Sequence, residues 1–67
     1  MSATFEVIAY RPTGAVIRAA IVEFGNIEAA IARLRYEVRT THGFTPAIRV
    51  WRHVPPTTQD ITHWYAP

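Results

Sequence analysis

One segment of this sequence has helical periodicity, and the segments on either side of it alternate with a period of two. From Ile27 to His42, apolar residues recur at the spacing of one helix face. Asn26 is a suitable N-cap and Gly43 a suitable left-handed residue after the last turn, so a helix is predicted over residues 26–42. Because a single helix covers only one side of a sheet, the other side must be satisfied in another way.

The segments around this helix have the pattern of strands. Residues 4–10 and 15–24 alternate, and the Arg-Pro-Thr-Gly segment between them has the residues of a tight turn, so residues 4–24 predict a β-hairpin. Residues 47–54 predict a third strand, which ends at two prolines. A helix that crosses over from the second strand places the third strand antiparallel to the first.

The remaining residues, 55–67, form a tail that begins with those prolines, and the sequence leaves two arrangements of residues 61–65 open. They form either a short fourth strand beside the third or a loosely docked tail. The predicted fold is a single α+β domain over residues 1–67, with the element order β-β-α-β and an optional final strand. Its antiparallel sheet has the order 2-1-3 or 2-1-3-4, with one helix packed on one face.

The third strand, AIRVWRHV, places Arg49, Trp51 and His53 on one side of the sheet. Alternation along the hairpin adds Tyr10 and Arg18 to that side. The residues expected to face the helix instead are Phe5, Val7, Ala9, Ile17, Ala19, Ile21, Ile48 and Val50. The side away from the helix therefore combines aromatic, aliphatic and arginine side chains, a composition typical of interaction surfaces.

The sequence leaves three ways in which this side can be covered. The tail can fold back and lay Ile61, Trp64 and Tyr65 over Trp51, a second copy can dock there, or another macromolecule can bind. We favour a non-enzymatic protein-interaction module that self-associates and acts as a small adaptor or inhibitor of a larger partner. The predicted interface residues are Tyr10, Arg18, Arg49, Trp51, His53, Trp64 and Tyr65.

The alternative is a small protein that binds single-stranded nucleic acid with the same side of the sheet. Aromatic side chains on a sheet stack on unpaired bases, and neighbouring arginines hold phosphates. All seven basic residues are arginine, but the formal net charge is only +2 and Glu6 lies on the same side. We therefore rank nucleic acid below a protein partner.

Residue types also argue against catalysis and metal binding. The chain has no cysteine, and its three histidines do not have the spacing of a zinc motif. It has no glycine-rich phosphate loop and no carboxylate pair placed for acid-base chemistry. No catalytic, cofactor-binding or metal-binding residue is predicted. No apolar run approaches the length of a membrane span, and we expect a cytoplasmic protein.

Overall fold

The hairpin, the helix and the third strand form close to where the sequence predicts them. The computed structural model describes residues 3–65. Its main elements are β1 (Thr4–Tyr10), β2 (Val16–Val22), α1 (Ile27–His42), β3 (Ala47–Val54) and β4 (Thr57–Asp60). Short 3₁₀ turns lie at Phe24–Asn26 and Thr62–Trp64. All neighbouring strands are antiparallel and the sheet order is β2-β1-β3-β4, which confirms the predicted α+β fold.

The turn between β1 and β2 has the predicted geometry. The Gly14 N–H donates to the Arg11 carbonyl at 2.8 Å, which closes a four-residue turn with Pro12 in the second position. Gly14 has a φ of 93°, in the left-handed region that a residue without Cβ adopts readily. The Arg11 N–H then donates to the Ala15 carbonyl at 2.7 Å, and the chain returns as β2.

The predicted orientation of β2 is wrong, because its pairing with β1 is shifted by a bulge. Val16 lies opposite Tyr10 and Arg18 lies opposite Ala9, which leaves Ile17 as an extra residue on β2. A one-residue shift exchanges the two faces of the strand beyond it. The residues of β2 that share the helix side with Phe5, Val7 and Ala9 are therefore Val22, Ala20 and Arg18. Ile21 and Ala19 instead lie on the side away from the helix.

The C-terminal end of α1 has the predicted cap, but its N-terminal end does not. Asn26 precedes the first residue of the helix, but its side chain makes no capping hydrogen bond, contrary to the prediction. The reason is that α1 is entered from a 3₁₀ turn, so Asn26 has φ −109° and ψ 5° rather than the extended backbone of a capping residue. At the other end, Gly43 has a φ of 80° and donates to the Arg39 carbonyl at 3.0 Å, as predicted.

The core lies between α1 and one side of the sheet, called here the helix side. Its buried members are Phe5, Val7 and Ala9 of β1, Val50 of β3, Ile27, Ile31, Leu34 and Val38 of α1, and Ile61 after β4. Ile17, Val22, Ile48 and Tyr65 are half-buried against them. The opposite side of the sheet is called here the open face.

The fourth strand exists, but it lies earlier in the chain than the sequence suggests. Pro55 and Pro56 form the turn of a second hairpin, in which Val54 pairs with Thr57 and Trp51 with Asp60. Residues 61–65, the predicted strand, instead contain a 3₁₀ turn. β4 is a short edge strand that buries neither of its sides fully. Its sequence, TTQD, therefore does not alternate between polar and apolar residues, which is the usual sequence signal of a strand.

Candidate interaction surface on the open sheet face

Aromatic and aliphatic side chains extend across the open face from β2 to β3. Four cross-strand rows make up the face: Thr4, His53 and Thr58; Ile21, Glu6, Trp51 and Asp60; Ala19, Ile8 and Arg49; and Val16, Tyr10 and Ala47. Directly opposite residues in antiparallel strands point to the same side, so each row is a set of neighbours. Ile21 is 64% exposed and Val16 is 57% exposed. The β2 side of the face is therefore apolar and open to solvent.

Trp51 lies between two acidic residues that are each held by a basic partner. Glu6 stands opposite Trp51 on β1, and its Oε1 lies 3.1 Å from His53 Nε2. Asp60 stands opposite Trp51 on β4, and Arg49 Nη1 donates to its Oδ2 at 2.8 Å. Arg49 and His53, each two residues from Trp51 along β3, thus pair with carboxylates on the two neighbouring strands. Both carboxylates of the face therefore have a partner within it.

Asp60 is the most strongly anchored of these groups. Its Oδ1 accepts hydrogen bonds from the hydroxyl and the backbone N–H of Thr62, the latter at 2.9 Å. The hydroxyl bond, the backbone bond and Arg49 together lower the pKa of Asp60 below its ordinary value of 3.8. At neutral pH the Asp60 carboxylate is ionised and fixes the Arg49 guanidinium at the edge of the open face.

Arg18 lies outside this surface, contrary to the prediction. Because of the bulge at Ile17, the Arg18 side chain points to the helix side, where Nη1 donates to Glu37 Oε2 at 2.8 Å. Tyr10, Arg49, Trp51 and His53 are brought together on the open face, as predicted. The face thus contains one arginine rather than two, and that arginine is paired.

Ile61 and Tyr65 of the tail pack into the core rather than over the open face. Ile61 is fully buried in the core and Tyr65 packs against the same core from the helix side. Trp64 is 54% exposed, and its ring centroid lies 5.9 Å from that of His63. Among residues 3–65, neither Trp64 nor Tyr65 forms an aromatic pair with Trp51, contrary to the predicted cluster.

Sequence reasoning missed two residues that shape the surface. Thr62 ties the end of β4 to β3, because its Oγ1 accepts from the Val50 N–H at 2.9 Å while its hydroxyl donates to Asp60. An aspartate followed two residues later by a threonine is typical of an Asx turn, and this pattern was the available signal. Ile21 was missed because its orientation depends on the bulge.

Residues 3–65 hold no group of three histidine, aspartate or glutamate side chains arranged as metal ligands. In the same part of the chain, no helix combines the length and the apolarity needed to cross a lipid bilayer. Comparison with protein-family models, with curated proteins and with solved structures finds no match.

Proposed function

We propose that this protein is a non-enzymatic protein-interaction module that self-associates through its open face and serves as a small adaptor or inhibitor of a larger partner. The observation that carries the proposal is the apolar patch across the sheet, in which Ile21, Ile8 and Trp51 of three adjacent strands lie on the side that α1 leaves uncovered. Contiguous apolar surface of this kind is rare on monomeric proteins and marks interaction sites. Action in the cytoplasm stays a prediction.

A second copy suits this face because both of its carboxylates already have a partner within it. Glu6 is paired with His53 and Asp60 with Arg49, so a docked copy would meet no unpaired carboxylate. Leaving a charge buried without a partner is the main penalty of an interface, and this arrangement avoids it for both carboxylates. The same pairing supports protein over nucleic acid, because Arg49 is already engaged by Asp60 and Arg18 lies on the helix side.

The size of the face limits the area that a dimer can bury. Four strands at about 4.8 Å spacing and about seven residues at 3.3 Å each give a flat footprint of roughly 400 Å². Relief from the side chains raises the accessible area, but the total stays at or below the roughly 800 Å² per partner of a standard interface. We therefore expect a dimer with a dissociation constant in the micromolar range.

Sedimentation equilibrium between about 1 µM and 1 mM tests the proposal. We expect the apparent mass to rise from 7.6 kDa towards twice that value. Ile21→Glu places a charge on the exposed β2 side of the face and should keep the protein monomeric. Tyr36→Glu is the matched control, because Tyr36 is similarly exposed, at 71%, but lies on α1. It should dimerise like the wild type.

A wild-type protein that stays monomeric at 1 mM contradicts self-association. If Tyr36→Glu abolishes dimerisation and Ile21→Glu does not, the interface is on the helix and the proposal for the open face is wrong. A labelled single-stranded oligonucleotide should not bind at low salt. If it binds with an affinity that falls linearly with salt on logarithmic axes, the protein contacts phosphates and the nucleic-acid alternative replaces ours.

A further inference from the structure

The outer edge of β2 is the longer and more apolar of the two edges of the sheet. Within residues 3–65, β2 pairs with β1 alone and β4 with β3 alone. β4 has four residues of polar sequence, whereas β2 has seven, VIRAAIV. The bulge at Ile17 interrupts β2 near its start, which leaves residues 18–22 as a regular stretch. Backbone N–H and C=O groups along such an edge can pair with another strand.

A groove runs beside this edge on the helix side. One wall is β2, with Ala20 and Val22, and the other is α1, with Ala29 and Ala30. Because alanines line both walls, the groove stays open, with a volume of about 570 Å³. An added strand next to β2 would direct every second side chain into this groove, since side chains alternate along a strand. The groove and the edge thus form one site for an extended segment.

The charges at the groove indicate which segment fits. Arg18 Nη1 lies 2.8 Å from Glu37 Oε2, and Arg33 Nε lies 3.9 Å from Glu37 Oε1. The three charged residues that line the groove therefore carry a net charge of +1. A second copy of β2, related by a twofold axis, would bring another Arg18 to the same side of the sheet. Charge thus disfavours a second copy here and favours a segment with an acidic residue.

We propose that the β2 edge and its groove bind an extended segment of a partner protein as an added antiparallel strand. The segment places apolar side chains opposite Val22 and Ala20 and an acidic side chain opposite Arg18. Backbone hydrogen bonds to the edge provide affinity, and the groove selects the alternating side chains. The site is on the helix side, so it does not depend on self-association through the open face.

The peptide Ser-Val-Thr-Val-Thr-Glu-Ser is a probe with this pattern, because an antiparallel partner of residues 18–22 runs from Val22 towards Arg18. A titration of the ¹⁵N-labelled protein with the peptide, to 2 mM, should give saturable shifts centred on the amides of residues 18–22. Replacing the peptide glutamate by arginine should weaken binding by about threefold to fivefold, the range of exposed ion pairs. The Arg33→Glu variant should reverse this preference.

A pair of helix variants tests the location. Ala29→Trp fills the groove from an exposed position and should abolish peptide binding, while Ala32→Trp, also exposed but outside the groove, should leave it intact. An Ile8→Glu variant places a charge on the open face from β1 and leaves every residue of β2 unchanged. It should bind the peptide even as a monomer, which separates this proposal from self-association. The proposal is overturned if no shifts appear by 2 mM, or if the shifts centre on Trp51. It is equally overturned if Ala29→Trp changes the oligomeric state, because a second copy is then the occupant.

Discussion

Replacing Ile61 by alanine tests whether the tail is part of the core. Ile61 is fully buried among the residues of the core, and its backbone N–H donates to the Val50 carbonyl at 2.9 Å. At about 0.8 kcal/mol for each methyl or methylene group, loss of the three groups beyond Cβ costs about 2.4 kcal/mol. The cavity left behind raises the cost, and buried isoleucine-to-alanine substitutions span about 2–5 kcal/mol.

This cost is large for so short a chain. At about 0.05–0.15 kcal/mol per residue, a 67-residue domain has a free energy of unfolding of roughly 3–10 kcal/mol. We expect Ile61→Ala to remove about a quarter or more of it and to lower the melting temperature by about 10 °C or more. If the substitution only creates a cavity, the circular dichroism spectrum of the folded variant should match that of the wild type.

Urea denaturation followed by circular dichroism measures the change, at a protein concentration low enough to keep the wild type monomeric. Trp64→Ala is the control from the same segment, because Trp64 is 54% exposed, and it should cost less than about 1 kcal/mol. A change of less than about 0.5 kcal/mol for Ile61→Ala would refute the assignment of residue 61 to the core.

Two further predictions concern the ends of β4 and of α1. Because the folded state holds the pKa of Asp60 below 3.8, the carboxylate stabilises the protein above that pH, and the contribution is lost as the pH falls through the lowered value. The stability difference between wild type and Asp60→Asn in urea should thus be largest at pH 7 and shrink at pH 3; a difference that grows on acidification would contradict the assigned hydrogen bonds. Gly43→Ala should cost about 1–2 kcal/mol because residue 43 has a φ of 80°, while Gly25→Ala, with open space around it and no positive φ, should cost much less. Equal costs for the two glycine variants would argue against a left-handed helix end.

Most of the architecture could be predicted from local sequence patterns. The apolar stripe of α1, with Ile27, Ile31, Leu34 and Val38, defines a helix face without reference to the rest of the chain. Alternation defines β1 and β3 equally well, because each strand has one side in the core. The sheet order follows from these elements through the handedness of the crossover. The position of Trp51, Arg49 and His53 on the open face was predictable for the same reason.

The orientation of β2 and the course of the tail were decided by tertiary structure. In VIRAAIV both sides of the strand are apolar, so periodicity alone could not say whether Ile21 or Val22 faces the helix. Pairing with β1 and the bulge at Ile17 decided it, and they moved Arg18 to the helix side.

The tail shows the same limit. The two prolines marked the end of β3 in the sequence, but β4 forms directly after them because the edge of β3 offers unpaired backbone groups. Ile61 is buried because it directly follows β4 and is held beside Val50 of β3. Its N–H donates to the Val50 carbonyl, and Thr62 Oγ1 accepts from the Val50 N–H. The sequence by itself determined β1, α1, β3 and the uncovered side of the sheet, since these depend on periodicity within one segment. Only the tertiary structure decided which side chains share that surface, since this depends on the register between segments.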